Sequence, residues 1–524
     1  MTLILHNGTI LTQDSALPHA ESVAVRDGKI AAVGSYSEVE NLKSPNTQHI
    51  DLAGRTLIPG FNDAHVHVWK VGHLLTTMLD VRGVSSIGEL QSSIRDFSAR
   101  LPEGKWFMGR GYNEALMTEG RHPNRHDLDA VLPDRPAYLI RTCAHIVVAN
   151  SKALEIAGID VNTDPPPGGI IECDASGQPN GIFHETALGL IFNHIPQPDA
   201  AEYEAMLRAA TEHQLSLGIT SATDPGVMPN LMAVYRDMDA RGELRTRIDV
   251  MAIRRPDGGT DTLSLPERYV SDFLRVDTIK FFADGGLSGA TAALSIKYRY
   301  ADHSGVKRFE RDELFDLARD AHLSGLRVGT HAIGDVTIDM VLDIYESLAE
   351  LGPGPRHRIE HFGLPDDVQC ARAAKLGVIV APQPVFLYSL GKNFRQYLPD
   401  ELLARCYPIR SMLRAGLNVA LSSDAPVVKD DNPLLGMQAA ILRRDSTGAV
   451  IAPHEAISPE EALYGFTMGG AIASGDADNR GSITPGKWAD LAVLRDNPLT
   501  TDPENLTGIQ VDMTLVAGKV CFER

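Results

Sequence analysis

Cysteine is scarce in this sequence and badly arranged for cross-linking. Five occur in 524 residues, at Cys143, Cys173, Cys370, Cys406 and Cys521. The number is odd, the spacing is wide and no Cys-x-x-Cys pair exists, so neither a disulfide framework nor a thiolate zinc site is expected. Positive charge is also short: 49 Lys and Arg stand against 68 Asp and Glu, a net charge of −19. Phosphate backbones are held by clustered Lys and Arg, so the expectation is no nucleic-acid partner. Long apolar runs are missing too. The longest uncharged stretch, residues 376–391, holds Pro382, Gln383 and Pro384 and falls short of a ~20-residue membrane span. The start of the chain, Met1-Thr2-Leu3-Ile4-Leu5-His6-Asn7-Gly8, has no basic region and reads as a first β-strand rather than a signal peptide. A soluble, cytoplasmic protein with no membrane partner is expected.

What is present is an ordinary globular mix, 43% apolar and 22% charged, with length for more than one domain. Residues 3–12, 22–33 and 49–57 are rich in Val, Ile, Leu and Thr, with turns at Asn7-Gly8, Asp27-Gly28 and Ala53-Gly54. Similar strands return at 481–483, 489–494, 513–517 and 519–522, with Gly518 as a turn. One small β-sandwich domain built from both termini, residues 1–57 and 478–524, is the expected result. Its surface is also the expected place for self-association into a homodimer.

The middle, residues 58–477, alternates short apolar strands with amphipathic segments, the pattern of βα units on a parallel sheet. Eight candidate strands lie at 56–61, 218–223, 246–253, 276–282, 326–330, 357–360, 377–381 and 418–421. Eight is the number that closes a (β/α)₈ TIM barrel, an α/β fold. The last helix opens on Ser458-Pro459-Glu460-Glu461, a capping serine, a proline at the first position and a glutamate at the third. Residues 312–323 and 338–351 carry helical periodicity. About 150 residues separate the first two barrel strands, far beyond the ~2–6 of a βα loop. The insertion at about 70–215 must therefore carry its own structure, including strand-like 105–110 and 137–142 and the loop Asp164-Pro165-Pro166-Pro167-Gly168-Gly169.

Titratable residues recur where barrel strands end. His65-x-His67 follows Leu57-Ile58-Pro59-Gly60-Phe61, and residues two apart on a strand share a face, so both rings can meet one ion. His331 follows Arg327-Val328-Gly329-Thr330, His361 follows Arg358-Ile359-Glu360, and Asp424 follows Leu421-Ser422-Ser423. Lys280 lies in Val276-Asp277-Thr278-Ile279-Lys280-Phe281-Phe282. The C-terminal rim is where barrel enzymes place their active sites. Lys280 and Asp284 share strand parity but lie about 13 Å apart if extended. The long lysine side chain is the better ligand, and Asp284 reads as a loop residue or a support behind the ligands. His122 and His126, four apart beside Pro123, read as surface residues.

The order HxH, Lys, His, His, Asp resembles the amidohydrolase superfamily. Several strings resemble its YtcJ-like branch, the type that includes N-substituted formamide deformylases. They are Pro59-Gly60-Phe61-Asn62-Asp63-Ala64-His65-Val66-His67, Lys280-Phe281-Phe282-Ala283-Asp284-Gly285, His331-Ala332-Ile333-Gly334-Asp335, Arg356-His357-Arg358-Ile359-Glu360-His361 and Ser423-Asp424-Ala425-Pro426. Trp106-Phe107-Met108-Gly109-Arg110-Gly111-Tyr112-Asn113 and Gly181-Ile182-Phe183-His184-Glu185-Thr186-Ala187 are similar to that branch as well. Ala144-His145-Ile146-Val147-Val148-Ala149-Asn150 matches in part, without the small polar residue and aromatic usual after the histidine.

The resemblance implies roles. His65, His67 and Asp424 hold the more buried metal, His331 and His361 the more exposed one, and Lys280 bridges them as a carbamate. Neutral imidazoles and carboxylates suit Zn²⁺ or a similar ion, present as one or two copies. Asp424 is also the proton carrier, His145 assists at the oxyanion, and Trp106, Tyr112, Glu185 and Asp284 are candidate substrate contacts. Lys280 has other readings, as a salt-bridge partner or as a neutral lysine beside a single metal. Trp106 and Tyr112 fit core or pocket wall better than a catalytic role, and Gly168-Gly169 is a flexible loop or a lid. The activity implied is hydrolysis of a C–N amide-type bond in a small or medium-sized molecule. Deamination, another hydrolysis or a decarboxylation on the same scaffold is the alternative, and a non-catalytic scaffold protein is the alternative from another class.

Overall fold

The computed structural model describes residues 2–141, 146–166, 169–256 and 261–524. Two compact units emerge: Met1–Val68 together with Ala210–Arg524, and Trp69–Ala209. In the first unit, eight parallel strands form one sheet in sequence order: Phe61–Asp63, Ile219–Val227, Arg247–Ile253, Leu274–Phe282, Arg327–Ala332, Arg358–His361, Ile379–Ala381 and Asn418–Val419. Nearly every residue of these strands is buried, as expected where both faces of a parallel sheet are covered. Helices such as Pro229–Ala240, Arg311–Leu323, Asp335–Glu350 and Asp367–Lys375 follow them. Past the eighth strand, the chain runs beside the extension of the first. Asp424 N–H donates to His65 O at 2.7 Å and His67 N–H to Ala425 O at 2.9 Å.

The two chain ends meet in one eight-stranded sheet that joins the N-terminal strands to Leu491–Leu494, Val511–Val516 and Lys519–Glu523. Here the run read as a single first barrel strand, residues 56–61, proves to be two. Thr56–Pro59 pairs with Leu491–Leu494, whereas Phe61–Asp63 pairs with Ile219–Val227. Gly60 makes the hand-off: its N–H donates to Asp490 O, and the next N–H, of Phe61, donates to Gly218 O. A Cβ at Gly60 would lie 2.2 Å from Thr220 Oγ1, so only glycine fits the crossing. The expected strand at 481–483 does not form.

The N-terminal ends of the central strands are tied by buried charge. Arg327 pairs with Asp277 at 2.8 Å, Arg480 with Asp249 at 2.7 Å, and Arg247 with Asp490 at 2.5 Å. These pairs lie at the opposite end of the strands from His331, His361 and Asp424.

A neutral histidine lies at the start of the sixth strand. His357 Nδ1 accepts from Val328 N–H at 3.1 Å, so its proton sits on Nε2, 3.0 Å from His322 Nδ1. Burial, then the neighbouring His322 and Arg327, push its pKa from 6.5 down to about 3. The unfolded chain therefore takes up this proton first as the pH falls. By pH 5 the folded state should lose about 2 kcal/mol on this account, and more toward pH 3. Urea denaturation at pH 7 and pH 5 should show a smaller acid loss for His357→Asn than for the wild type; equal losses would contradict the assignment.

The second unit carries its own six-stranded mixed sheet. It includes Phe107–Tyr112 and Ala137–Arg141, both anticipated from the sequence, and Met78–Asp80, Ile146–Ala149, Gly169–Cys173 and Pro179–Glu185, which were not. No helix among the described residues is long and apolar enough to cross a membrane.

Candidate metal centre

His65 and His67 stand just past the first strand of the central sheet, and Asp424 follows the eighth. Each offers a ligand atom, and the three lie within 4.8 Å of one another. His65 Nε2 is 3.5 Å and His67 Nε2 is 3.4 Å from Asp424 Oδ1. The other predicted histidines adjoin them. Ring centroids of His65 and His361 are 5.0 Å apart, and those of His361 and His331 are 4.4 Å apart. Lys280 is fully buried on the fourth strand, and its Nζ has no hydrogen-bond partner among the described residues. The ring of Phe282 lies 4.5 Å from that nitrogen. The fold thus gathers four histidines and Asp424 at one end of the strands, with Lys280 on the fourth strand beneath.

Backbone strain marks the same place. His361 adopts φ 72° and Asp424 φ 55°, left-handed values that non-glycine residues avoid. Strict strand alternation would send Glu360 and His361 to opposite faces. The left-handed turn at His361 and Phe362 (φ 47°) lets Glu360 reach His65 while His361 stays beside His331.

Three of the imidazoles, His65, His361 and His331, are fixed by a partner on the far side. His65 Nδ1 lies 2.5 Å from Glu360 Oε2, so Nδ1–H donates to the carboxylate and Nε2 keeps its lone pair toward Asp424. Glu360 is itself clamped by Arg358, Nε to Oε1 at 2.7 Å and Nη2 to Oε2 at 2.9 Å, and Arg358 also donates to Ala64 O. Gly329 leaves room for this pair, since a Cβ there would stand 2.1 Å from Met251 Cε and 3.3 Å from Glu360 Oε1. His361 Nδ1 donates to Gln383 Oε1 at 2.7 Å. The Gln383 amide is oriented by donating to Ala381 O and Ser422 Oγ. His331 Nε2 donates to Gly285 O at 3.0 Å, which leaves Nδ1 as its lone-pair nitrogen.

The electrostatics favour neutral rings around an anionic carboxylate. Burial, against the pull of Glu360 and Asp424, lowers His65; burial, with His331 beside it, lowers His361 well below 6.5. Burial alone would raise Asp424, but the His67 hydrogen bond and the nearby His65 and His361 hold it well below the usual carboxylate range. Glu360 is likewise held down by Arg358 and His65 despite its burial. Burial pushes the Lys280 amine down to about 8. Neutral imidazole, carboxylate and a readily deprotonated amine are what a divalent ion requires of its ligands.

Asp284 is fully buried. Its carboxylate accepts from Ala293, Ile333 and Gly334 N–H at 2.8–3.1 Å, and Oδ1 is 3.3 Å from His331 Nε2. It anchors the chain before helix Asp335–Glu350, which suits the reading of a support behind the ligands. Trp106 and Tyr112 lie in the apolar cores of the second unit, Trp106 with Tyr138 and Phe183, Tyr112 with Phe107 and Leu139. The Tyr112 hydroxyl is 3.2 Å from His122 Nδ1. His145, with Pro167 and Gly168 of the proline-glycine loop, and the Glu185 side chain lie outside the described residues.

Glu360, Arg358 and Gln383 were not singled out from the sequence. A signal existed for the first two. Arg358 and Glu360 are two apart on a strand, hence on one face, and an opposed charge pair inside a barrel strand needs an inward partner.

Comparison with known proteins shows the family. A sequence model described as the amidohydrolase family matches residues 48–522. An N-substituted formamide deformylase of Arthrobacter pascens is 31% identical, over 100% of this chain and 98% of that protein. The YtcJ protein of Bacillus subtilis (strain 168) is 31% identical, with both chains fully covered. Among solved structures, an uncharacterized metal-dependent hydrolase from Pyrococcus horikoshii OT3 superposes with a TM-score of 0.81 at 27% identity, covering 96% of this chain and 99% of that one.

Proposed function

The chain belongs to the amidohydrolase family, in its YtcJ-like branch, and on that premise we propose that it cleaves a C–N amide-type bond in a small or medium-sized substrate. Family membership makes it a metal-dependent hydrolase acting on small molecules. The bond cleaved, the residue roles and the metal are this proposal's own content. The observation that carries it is the clustering of His65, His67 and Asp424 donor atoms within 4.8 Å, beside two further histidines with fixed tautomers. The full-length likeness to a formamide deformylase favours an amide over other C–N bonds.

The donors fit an ion. Among the described residues, Lys280 Nζ is buried without a hydrogen-bond partner, and orphan polar atoms of that kind are rare unless an ion or water completes them. His65, His67 and Asp424 would hold one divalent ion, and His331 and His361 a second, with Zn²⁺ suited to both. Lys280, its amine eased toward neutrality by burial, would add CO₂ and lose a proton to give a bridging carbamate. Such ions supply Lewis acidity and lower the pKa of a water to about 7.

The protein's own groups do the rest. Glu360 and Gln383 fix which nitrogens of His65 and His361 stay unprotonated. Asp424, held anionic, takes the proton of the attacking water and returns it to the leaving nitrogen, so that a tetrahedral adduct collapses to carboxylate and amine. The sheet is proposed to close as a (β/α)₈ barrel, supported by the hydrogen bonds between residues 64–67 and 421–425. The terminal sheet is proposed to fold over as a sandwich, supported by its shared core of Leu5, Val23, Leu57, Leu491 and Leu515.

A product screen tests the reading. The protein, incubated with N-formyl and N-acyl amines, should release primary amine, and chelation should abolish the release. Release of ammonia or CO₂ instead, or indifference to chelation, would contradict it.

A further inference from the structure

Tyr407 lies close to the metal centre and has been given no task. It is fully buried, and its hydroxyl has no hydrogen-bond partner among the described residues. A buried hydroxyl left bare forfeits roughly 1–3 kcal/mol, so a partner from outside the described side chains is expected for it.

Its backbone is built to hold it in place. Tyr407 adopts φ 47°, a left-handed conformation that costs a non-glycine residue about 1–3 kcal/mol and persists only where the surroundings enforce it. Its N–H donates to Gly363 O at 2.7 Å, two residues past His361. Its carbonyl accepts from Arg443 Nη1 at 2.8 Å, and Arg443 Nη2 holds Cys406 O at 2.7 Å. Arg443 is itself fully buried, and its Nε donates to Ile451 O. A buried guanidinium whose bonds all end on backbone carbonyls serves to pin the chain.

The ring is oriented by aromatic packing that leads to the metal centre. It meets Phe386 edge-on at 6.0 Å, and Phe386 stacks on His361 at 6.3 Å. Burial above all, then Cys406 and the more distant carboxylates Asp424 and Asp284, push the phenol pKa up and keep it protonated. Tyr407 therefore presents a neutral O–H donor with no acceptor beside the group of residues expected to handle the substrate carbonyl.

We propose that the Tyr407 hydroxyl is a catalytic group, donating a hydrogen bond to the substrate carbonyl oxygen as that oxygen becomes anionic. The inference rests on the hydrolytic reading above and adds a donor to it. No proton is transferred: the O–H bond stays intact, and the hydrogen bond shortens as negative charge develops. Because the bond is stronger to the oxyanion than to the neutral carbonyl, its loss acts on kcat more than on KM.

Tyr407→Phe removes the one oxygen and leaves the packed ring. On an amide turned over by the wild type, kcat should fall about 10²–10³-fold with KM changed little. The affinity of the metal-loaded protein for methylphosphonate, a tetrahedral anion, should fall at least about tenfold by calorimetry. Tm should not drop, since an orphan hydroxyl is being removed. A kcat and a methylphosphonate affinity within twofold of the wild type would overturn the proposal. So would a Tm lowered by several degrees, which would reveal a structural partner. If the wild type turns over no amide, the C–N reading fails, yet weaker methylphosphonate binding by Tyr407→Phe would still support the donor.

Discussion

Asp424→Asn should lower kcat about 10²–10⁴-fold while the protein stays folded. Asparagine keeps the shape and an oxygen at the same place but cannot take a proton near neutral pH. In the wild type the carboxylate is buried and held below the usual carboxylate range, so it is anionic and able to accept a proton throughout the neutral range. Turnover should be expressed per bound ion, so that lost occupancy is not counted as lost chemistry, and the far-ultraviolet circular dichroism should be unchanged. Turnover within tenfold of the wild type would remove Asp424 from the proton path.

Glu360→Gln should act on both metal affinity and stability. The carboxylate orients His65 from behind, and losing such a partner typically costs 10–100-fold in metal affinity. It also neutralises Arg358, which is buried and pairs with Glu360 through two bonds. Breaking a buried pair from one side costs about 3–5 kcal/mol. Chelator competition and the urea midpoint measure the two effects separately. An unchanged metal affinity would show that His65 needs no orienting group, and an unchanged midpoint would show that Arg358 finds its compensation elsewhere.

The sequence carried the central pattern because strand ends are periodic and chemical at once. His65-x-His67, His331, His361 and Asp424 each stand at or just past the end of a short strand, and the structure brings them together at one end of one sheet. Family membership was legible from the same strings, which are short, ordered and spread over nearly the whole chain. What escaped had physical reasons. Residues 56–61 form one unbroken apolar run, and nothing in side-chain chemistry announces that Gly60 passes the chain from one sheet to another. The link from Glu360 to His65 spans 295 positions, and the left-handed backbone at His361 breaks the alternation by which its neighbours would be placed. Tyr407 belongs to no motif; its interest comes from a strained backbone and an unpaired oxygen, neither of which a sequence displays. In the second unit, Met78–Asp80 is three residues long and Gly169–Cys173 exposes Ile170, so neither carries an alternation strong enough to reveal the full sheet.

Anomalous diffraction, recorded on either side of the absorption edge of whatever metal the purified protein carries, addresses the central claim most directly. The account predicts a peak within coordinating distance of His65 Nε2, His67 Nε2 and Asp424, with a second, if two ions bind, beside His331 and His361. A metal peak remote from these residues, or full hydrolytic turnover by crystals that show no peak there, would contradict it.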